Sequence, residues 1–214
     1  MSYGKVVRGR VLCALAVFGV CAASAWAAPL LPGNQPLAVG EVDPLGGAAV
    51  AGPLVTPLVG AAFTATLTST VISGDTTNPY GGLTFVYVVT NAPTSTDAIG
   101  RTTLNGFTGF LTDTSFQLGG PGLAPTYMDR SIGTGNVVGF SFFGPPVGTS
   151  ALLPGMTSAV LVVQTDAPSW TLSTGNVIDG SIASGPIYAP AVPEPATMLL
   201  LAGGLGVGLL RRRR

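Results

Sequence analysis

Histidine is absent from this chain of 214 residues. That removes the commonest general base and the commonest transition-metal ligand. Lysine occurs once, at Lys5, and cysteine only at Cys13 and Cys21, all within the first basic and apolar stretch. If that stretch is removed, no disulfide and no thiol nucleophile remain. Ser-His-Asp, Cys-His and Ser-Lys arrangements cannot be assembled from what is left. A zinc site would have to be all carboxylate, against the metal's preference for nitrogen and sulfur. A domain of about 160 residues buries enough core without disulfides.

Positive charge is scarce where a partner would need it. From Ala28 to Val192 the chain carries Arg101 and Arg130 against Glu41, Asp43, Asp75, Asp97, Asp113, Asp129, Asp166 and Asp179, a formal charge of 2 − 8 = −6. Nucleic-acid binding needs a clustered basic surface, and this region has none. The remaining cations sit at the ends, as Lys5, Arg8, Arg10 and Arg211, Arg212, Arg213 and Arg214. An acidic, Thr/Ser/Gly-rich body fits a soluble domain outside the cytoplasm.

What is present at the N-terminus reads as an address. "MSYGKVVRGR" is a basic lead and "VLCALAVFGVCAASA" an apolar stretch of signal-peptide length. Ala25 and Ala27 supply small residues at the −3 and −1 positions, so residues 1–27 are expected to be a signal helix cleaved after Ala27. The run is short for a permanent membrane helix. Val20 precedes Cys21 and Leu12 precedes Cys13, where a lipobox wants a small residue.

Residues 28–60 are apolar but broken by Pro and Gly every few positions. Neither a helix nor a long strand is expected to run through them. They read as an extended lead-in lying partly against the domain and ending in an edge strand. From residue 61 the pattern turns to β. "AFTATLTSTVIS" (61–72) alternates, "GDTTNPYGG" is a turn cluster, and "LTFVYVVTN" (83–91) is β-branched and aromatic. "GRTTLNGFTGFLTDTSFQL" (100–118), "NVVGFSFF" (136–143), "TSAVLVVQTD" (157–166), "SWTLSTG" (169–175) and "NVIDGSIASGPIY" (176–188) complete the series, with Gly106 and Gly109 marking bulges or bends. Seven to nine short strands without an amphipathic helix predict an all-β ectodomain over 61–190. The expected architecture is a single β-sandwich, Ig-like or jelly-roll-like. The expected core is Phe63, Leu67, Phe85, Tyr87, Val89, Phe107, Phe110, Phe140, Phe142, Val160, Val162 and Trp170.

Two chemistries survive on residue type. A carboxylate pair could serve glycoside hydrolysis. However, Glu41 lies in the lead-in, and Asp75, Asp97, Asp113, Asp129, Asp166 and Asp179 are scattered singly in turn-like contexts, where Asp bonds local backbone. Loop oxygens could hold Ca²⁺, with Asp75 and Asp179 the nearest candidates, but no Asp-rich repeat is present. No cofactor is expected. "GLGVGL" (204–209) is no dinucleotide fingerprint, since no strand precedes it.

The C-terminus is a second address. Pro193, Glu194 and Pro195 precede an apolar run, Ala196–Leu210. As a helix that run of about 15 residues spans about 22 Å, against about 30 Å of hydrocarbon. Arg211–Arg214 fit a cytoplasmic stop with the body outside. "VPEPATMLLLAGGLGVGLLRRRR" resembles the PEP-CTERM sorting signal in all three of its parts, so residues 191–214 are read as that signal, with a short transmembrane helix about 196–210 and a basic tail 211–214. The resemblance implies an exosortase as partner. This is an integral-membrane cysteine protease/transpeptidase of Gram-negative bacteria that make extracellular polysaccharide. The body is similar to ectodomains that often precede this tail, through "LTFVYVVTN", "TDAIGRTTLNGFTGFLTD" and "SAVLVVQTDAPSWT". Those ectodomains are of unassigned function.

The leading expectation is a non-enzymatic exported protein, held transiently at the inner membrane with its body in the periplasm and bound for the cell surface or extracellular matrix. A second reading is a carbohydrate-binding or adhesive module for exopolysaccharide. It would use two or more of Tyr80, Tyr127, Trp170 and Tyr188 on one face. A third is a carboxylate-dependent hydrolase.

Overall fold

Alternation builds the sheets. A computed structural model describes residues 29–143 and 151–192. In β3 (Thr64–Ser73) Ala65, Leu67, Ser69 and Val71 are buried, while the intervening residues are half-buried or exposed. In β4 (Thr84–Asn91) Phe85, Tyr87, Val89 and Asn91 point inward. The two strands pair antiparallel from Ala65↔Asn91 to Ile72↔Thr84, so both buried rows face one side.

The other strands are β1 (Gly40–Glu41), β2 (Ala48–Val59), β5 (Arg101–Asn105), β6 (Thr112–Gln117), β7 (Tyr127–Arg130), β8 (Val137–Ser141), β9 (Leu161–Thr165), β10 (Trp170–Asp179) and β11 (Ser181–Pro190). One sheet has the order β1-β6-β9-β4-β3-β2 and the other β11-β10-β5-β8-β7. Their inner faces enclose one core, with Leu67, Phe85, Tyr87, Leu104, Phe140 and Ile187 among its buried members. Phe85 meets Phe107 edge-on, centroids 6.2 Å apart, and the Tyr87 hydroxyl donates across the sandwich to the Tyr188 carbonyl at 2.6 Å. The described residues are thus all-β in two sheets, as the patterning predicts. The flanking signal and transmembrane helices fall outside the described residues.

Several readings need correction. The segment 28–60 does end in an edge strand, as expected, but the strand is long: the segment supplies β1 and the 12-residue β2, which pairs with β3 as far as Ala48↔Ser73. A long strand tolerates these prolines because β2 lies at a sheet edge, where a missing N–H costs no ladder bond. Its register also shifts on either side of Ala51, next to Gly52 and Pro53. Gly106 and Gly109 do not bulge one strand. They lie where the chain crosses from β5 in one sheet to β6 in the other, both with positive φ (109° and 82°).

Four expected core residues are not in the core cluster. Trp170 is 40% exposed, because odd-numbered positions of β10 such as Val177 face inward and even-numbered ones face out. Val160 is half-buried, and Val162, although buried, is not part of the core cluster, which takes Leu161 and Val163 instead. The run "AVLVV" is apolar at every position, so alternation cannot say which parity faces in. Phe110 is half-buried in the turn before β6.

Candidate functional site

The stretch before β1 ties the two sheets together. The Leu30 N–H donates to the Thr112 carbonyl of β6 at 2.7 Å, and Phe116 N–H donates to the Val39 carbonyl at 3.1 Å. Between these anchors the chain turns to β7. There Arg130 N–H donates to the Asn34 carbonyl (3.0 Å), Met128 N–H to the Pro36 carbonyl (3.1 Å) and Ala38 N–H to the Thr126 carbonyl (2.9 Å). Pro36 can contribute only its carbonyl, which is the group Met128 uses. This strap leaves the β6 edge free between Thr112 and Phe116 and opens a cleft of about 510 Å³. Asn34, Gln35, Glu41, Asp113, Thr114 and Met128 are among its walls.

The cleft is acidic. Burial, with the repulsion of Glu41 and Asp43 added, pushes Asp113 up to about 6, against one opposing hydrogen bond from the Thr114 N–H. Glu41 is raised by burial and by Asp43. Asp43 is 1% exposed; burial raises it, although its Oδ2 accepts the Ser115 hydroxyl at 2.5 Å. Its Oδ1 has no partner, and neither has the hydroxyl of Thr114, a residue 5% exposed. Tyr80 is pushed up to about 12 by burial and then by Asp113.

Arg130 pins this region from inside. Its buried guanidinium donates to the carbonyls of Gly135 (2.8 Å), Leu30 (3.1 Å), Phe107 (2.8 Å) and Phe110 (2.9 Å). Desolvation lowers its pKa, though not enough to discharge a guanidinium.

The carboxylates expected to be scattered have separate settings. Asp129 forms a two-pronged pair with Arg101 at 2.6 and 2.7 Å. Asp166 accepts the Leu111 N–H at 3.0 Å. Asp75 is saturated: its Oδ1 accepts from Leu45 N–H, Thr77 N–H and the Thr77 hydroxyl, and its Oδ2 from the Thr84 hydroxyl and the Gln164 amide. Burial pushes Asp75 up, but the hydrogen bonds outweigh it and hold the carboxyl below its usual range. Burial, followed by the charge of Asp97, raises Asp179. The Ca²⁺ candidates Asp75 and Asp179 are not brought together with a third acid: among the described residues no group of three or more His, Cys, Asp or Glu is placed to hold a metal.

Of the four candidate rings, two meet. Trp170 and Tyr188 lie at 4.9 Å between centroids and 73° between planes, on neighbouring strands β10 and β11 beside exposed Leu172. Tyr127 is on β7 at the far edge of the same sheet, and the Tyr80 hydroxyl is buried.

Sequence reasoning missed the Glu41–Asp113 cleft. The two residues are far apart in the chain, and Glu41 was assigned to a lead-in; the one available signal was that the body's single glutamate lies in an apolar, Pro-rich stretch.

The expected signal-cleavage residues Ala25 and Ala27, the motif Pro193, Glu194 and Pro195, and Arg211–Arg214 all fall outside the described residues. Comparison with known proteins bears on the second address. Residues 191–214 match the family model of the PEP-CTERM protein-sorting motif. No curated protein and no solved structure matches the chain. Since β11 ends at Pro190, the matched segment begins immediately after the last strand of the sandwich. The chain is therefore an exported protein whose residues 191–214 form a PEP-CTERM sorting signal, the mark of exosortase processing.

Proposed function

We propose that this is a non-enzymatic β-sandwich of the cell envelope or extracellular matrix. Its precursor is held at the inner membrane with the body in the periplasm, and an exosortase cuts near Pro193–Pro195 to pass it to the surface. The observation that carries this reading is the junction. The matched signal starts at residue 191, directly after β11, so a cut at Pro193–Pro195 leaves every described strand in the body. The residue inventory supports the absence of catalysis, because histidine is missing and the body has no lysine or cysteine. Intact-mass analysis of the protein recovered from its native host tests the sorting part. The expected mass lacks residues 1–27 and Arg211–Arg214; a mature form that retains the four arginines overturns it.

The Trp170–Tyr188 pair favours a second reading, a glycan-contacting face on the five-stranded sheet. Aromatic rings beside fixed polar groups suit the apolar and hydroxyl faces of sugar rings. On β5, β10 and β11, Asn105 donates to the Thr174 carbonyl (2.7 Å), Asn176 to the Thr103 hydroxyl (3.0 Å), and Ser184 to Asn176 (2.7 Å). Quenching of Trp170 fluorescence by purified exopolysaccharide, weakened in Tyr188→Ala, is the expected result. Unchanged fluorescence at saturating polysaccharide counts against it.

A further inference from the structure

The β10–β11 hairpin differs between its two ends. Its register runs from Trp170↔Pro190 to Asp179↔Ser181, about 30 Å along the strands. Even-numbered positions of both strands share the outer face, so Trp170, Leu172, Pro186 and Tyr188 form one corner of it. Trp170 is 40% exposed and Leu172 59%, even with the Trp170 and Tyr188 rings packed together. The far end holds Asp179, and β5 brings Arg101 alongside Ile178 there. The ring end is charge-free: from Ala167 to Ile178 and from Gly180 to Pro193 no residue is charged. Asp166, just before the first of these stretches, is tied to the Leu111 N–H at 3.0 Å. Such a corner loses no ion hydration when it leaves water, and its exposed apolar groups gain.

The point where the chain leaves the sandwich identifies what covers this corner. The Ala191 N–H donates to the Ser169 carbonyl at 3.0 Å, which fixes the exit beside Trp170. The matched sorting signal begins at that same residue. Ala196, where the apolar run starts, follows Pro190 by six positions, a reach of at most about 20 Å. With the run 196–210 inserted, this tether keeps the ring end close to the bilayer surface, while the Asp179 end can lie farther away than the tether spans. Tryptophan and tyrosine suit that surface, with the ring body at the acyl boundary and the N–H or O–H among the headgroups.

We propose that Trp170, Leu172 and Tyr188 form a lipid-contacting corner, which lies in the headgroup layer of the inner membrane while the precursor is held there. Cleavage near Pro193–Pro195 cuts the tether and frees the rings. The inference rests on the membrane-held reading above and adds its contact surface; the glycan reading concerns the same rings after release.

The test is fluorescence quenching in the full chain carrying Trp26→Phe, which leaves Trp170 as its one tryptophan, reconstituted in phosphatidylethanolamine/phosphatidylcholine vesicles. The lipids are brominated at either the headgroup end or the tail end of the acyl chain. Two reporters replace Trp170 in the Trp26→Phe/Trp170→Phe chain: Ile182→Trp at the far end of the outer face, and Leu201→Trp in the apolar run. Circular dichroism checks that each chain is folded. Headgroup-end bromines should quench Trp170 at least threefold more than the Ile182→Trp reporter, and tail-end bromines should quench Leu201→Trp most. If Leu201→Trp is quenched and Trp170 is not, the proposal is overturned and the membrane-held reading stands. If Leu201→Trp is not quenched either, that reading fails and the proposal with it. Equal quenching at Ile182→Trp also overturns the proposal, because the whole face would then lie on the membrane. So does a Trp170 that neither lipid quenches but that is shielded from acrylamide, covered by protein, or quenched by exopolysaccharide, which assigns the rings to glycan in the precursor as well.

Discussion

Asp75 and Asp113 are the same residue type set against the same sheet, and the fold treats them in opposite ways. Asp113 on β6 stands opposite Gln164 on β9, which in turn stands opposite Thr84 on β4. Both the Gln164 amide and the Thr84 hydroxyl turn to Asp75, at 3.0 and 2.7 Å. Thr77 and the Leu45 N–H complete its shell. Asp113 is left with its own neighbour's N–H and the repulsion of Glu41 and Asp43. Burial alone therefore does not mark a functional carboxylate. The supply of donors decides whether a buried acid is a structural tie or an open site.

The largest effect that tests this contrast is at Asp75. Asp75→Ala leaves donors on Leu45, Thr77, Thr84 and Gln164 without their acceptor. It should cost about 3 kcal/mol, a fall of roughly 6–12 °C in Tm for a domain of this size. Thermal unfolding by circular dichroism measures it, and a loss below about 1 kcal/mol would break the comparison. Next, Gln164→Met removes one donor from Asp75 and none from Asp113. It should cost about 1–2 kcal/mol and raise the Asp75 midpoint while leaving that of Asp113 unmoved.

The pH profiles should have opposite slopes. The folded-state pKa of Asp75 is depressed, so its stabilisation is present above the unfolded carboxylate value and is lost as pH falls through the folded one. Asp113 is raised to about 6, so the folded state binds the extra proton, and stability falls as pH rises from about 4 to about 6. Carbon-detected NMR titration of the side-chain carboxyls should place Asp113 near 6 and Asp75 below the ordinary range; overlapping midpoints would erase the distinction. The smallest effect is Asp113→Asn. At pH 7 it should leave stability unchanged or raise it by up to about 1 kcal/mol, since partial exposure screens the charge it removes. A clear loss in a chemical-denaturation curve would mean that Asp113 is a structural tie after all.

Much of the fold was legible because burial imposes period two. Phe63, Leu67, Phe85, Tyr87, Val89, Phe107, Phe140 and Phe142 are all in the core as expected. Legibility ended where composition hid the parity. In "AVLVV" every residue is apolar, so the choice of Leu161 and Val163 over Val160 and Val162 was made by pairing with β4 and β6. Trp170 read as core by its size, but the β10–β11 register sets it outside beside Tyr188. In residues 48–59 the prolines hide the length of a strand, 12 residues, that only an edge position permits.

The sequence by itself determined the export address, the all-β class and the absence of histidine chemistry. Order along the chain and residue type settle these without any long-range contact. The tertiary structure alone decided which acids are tied and which are open. Glu41 and Asp113 come together because the strap bonds to β7 between its two anchors on β6, a non-local arrangement that leaves no periodic trace in the chain.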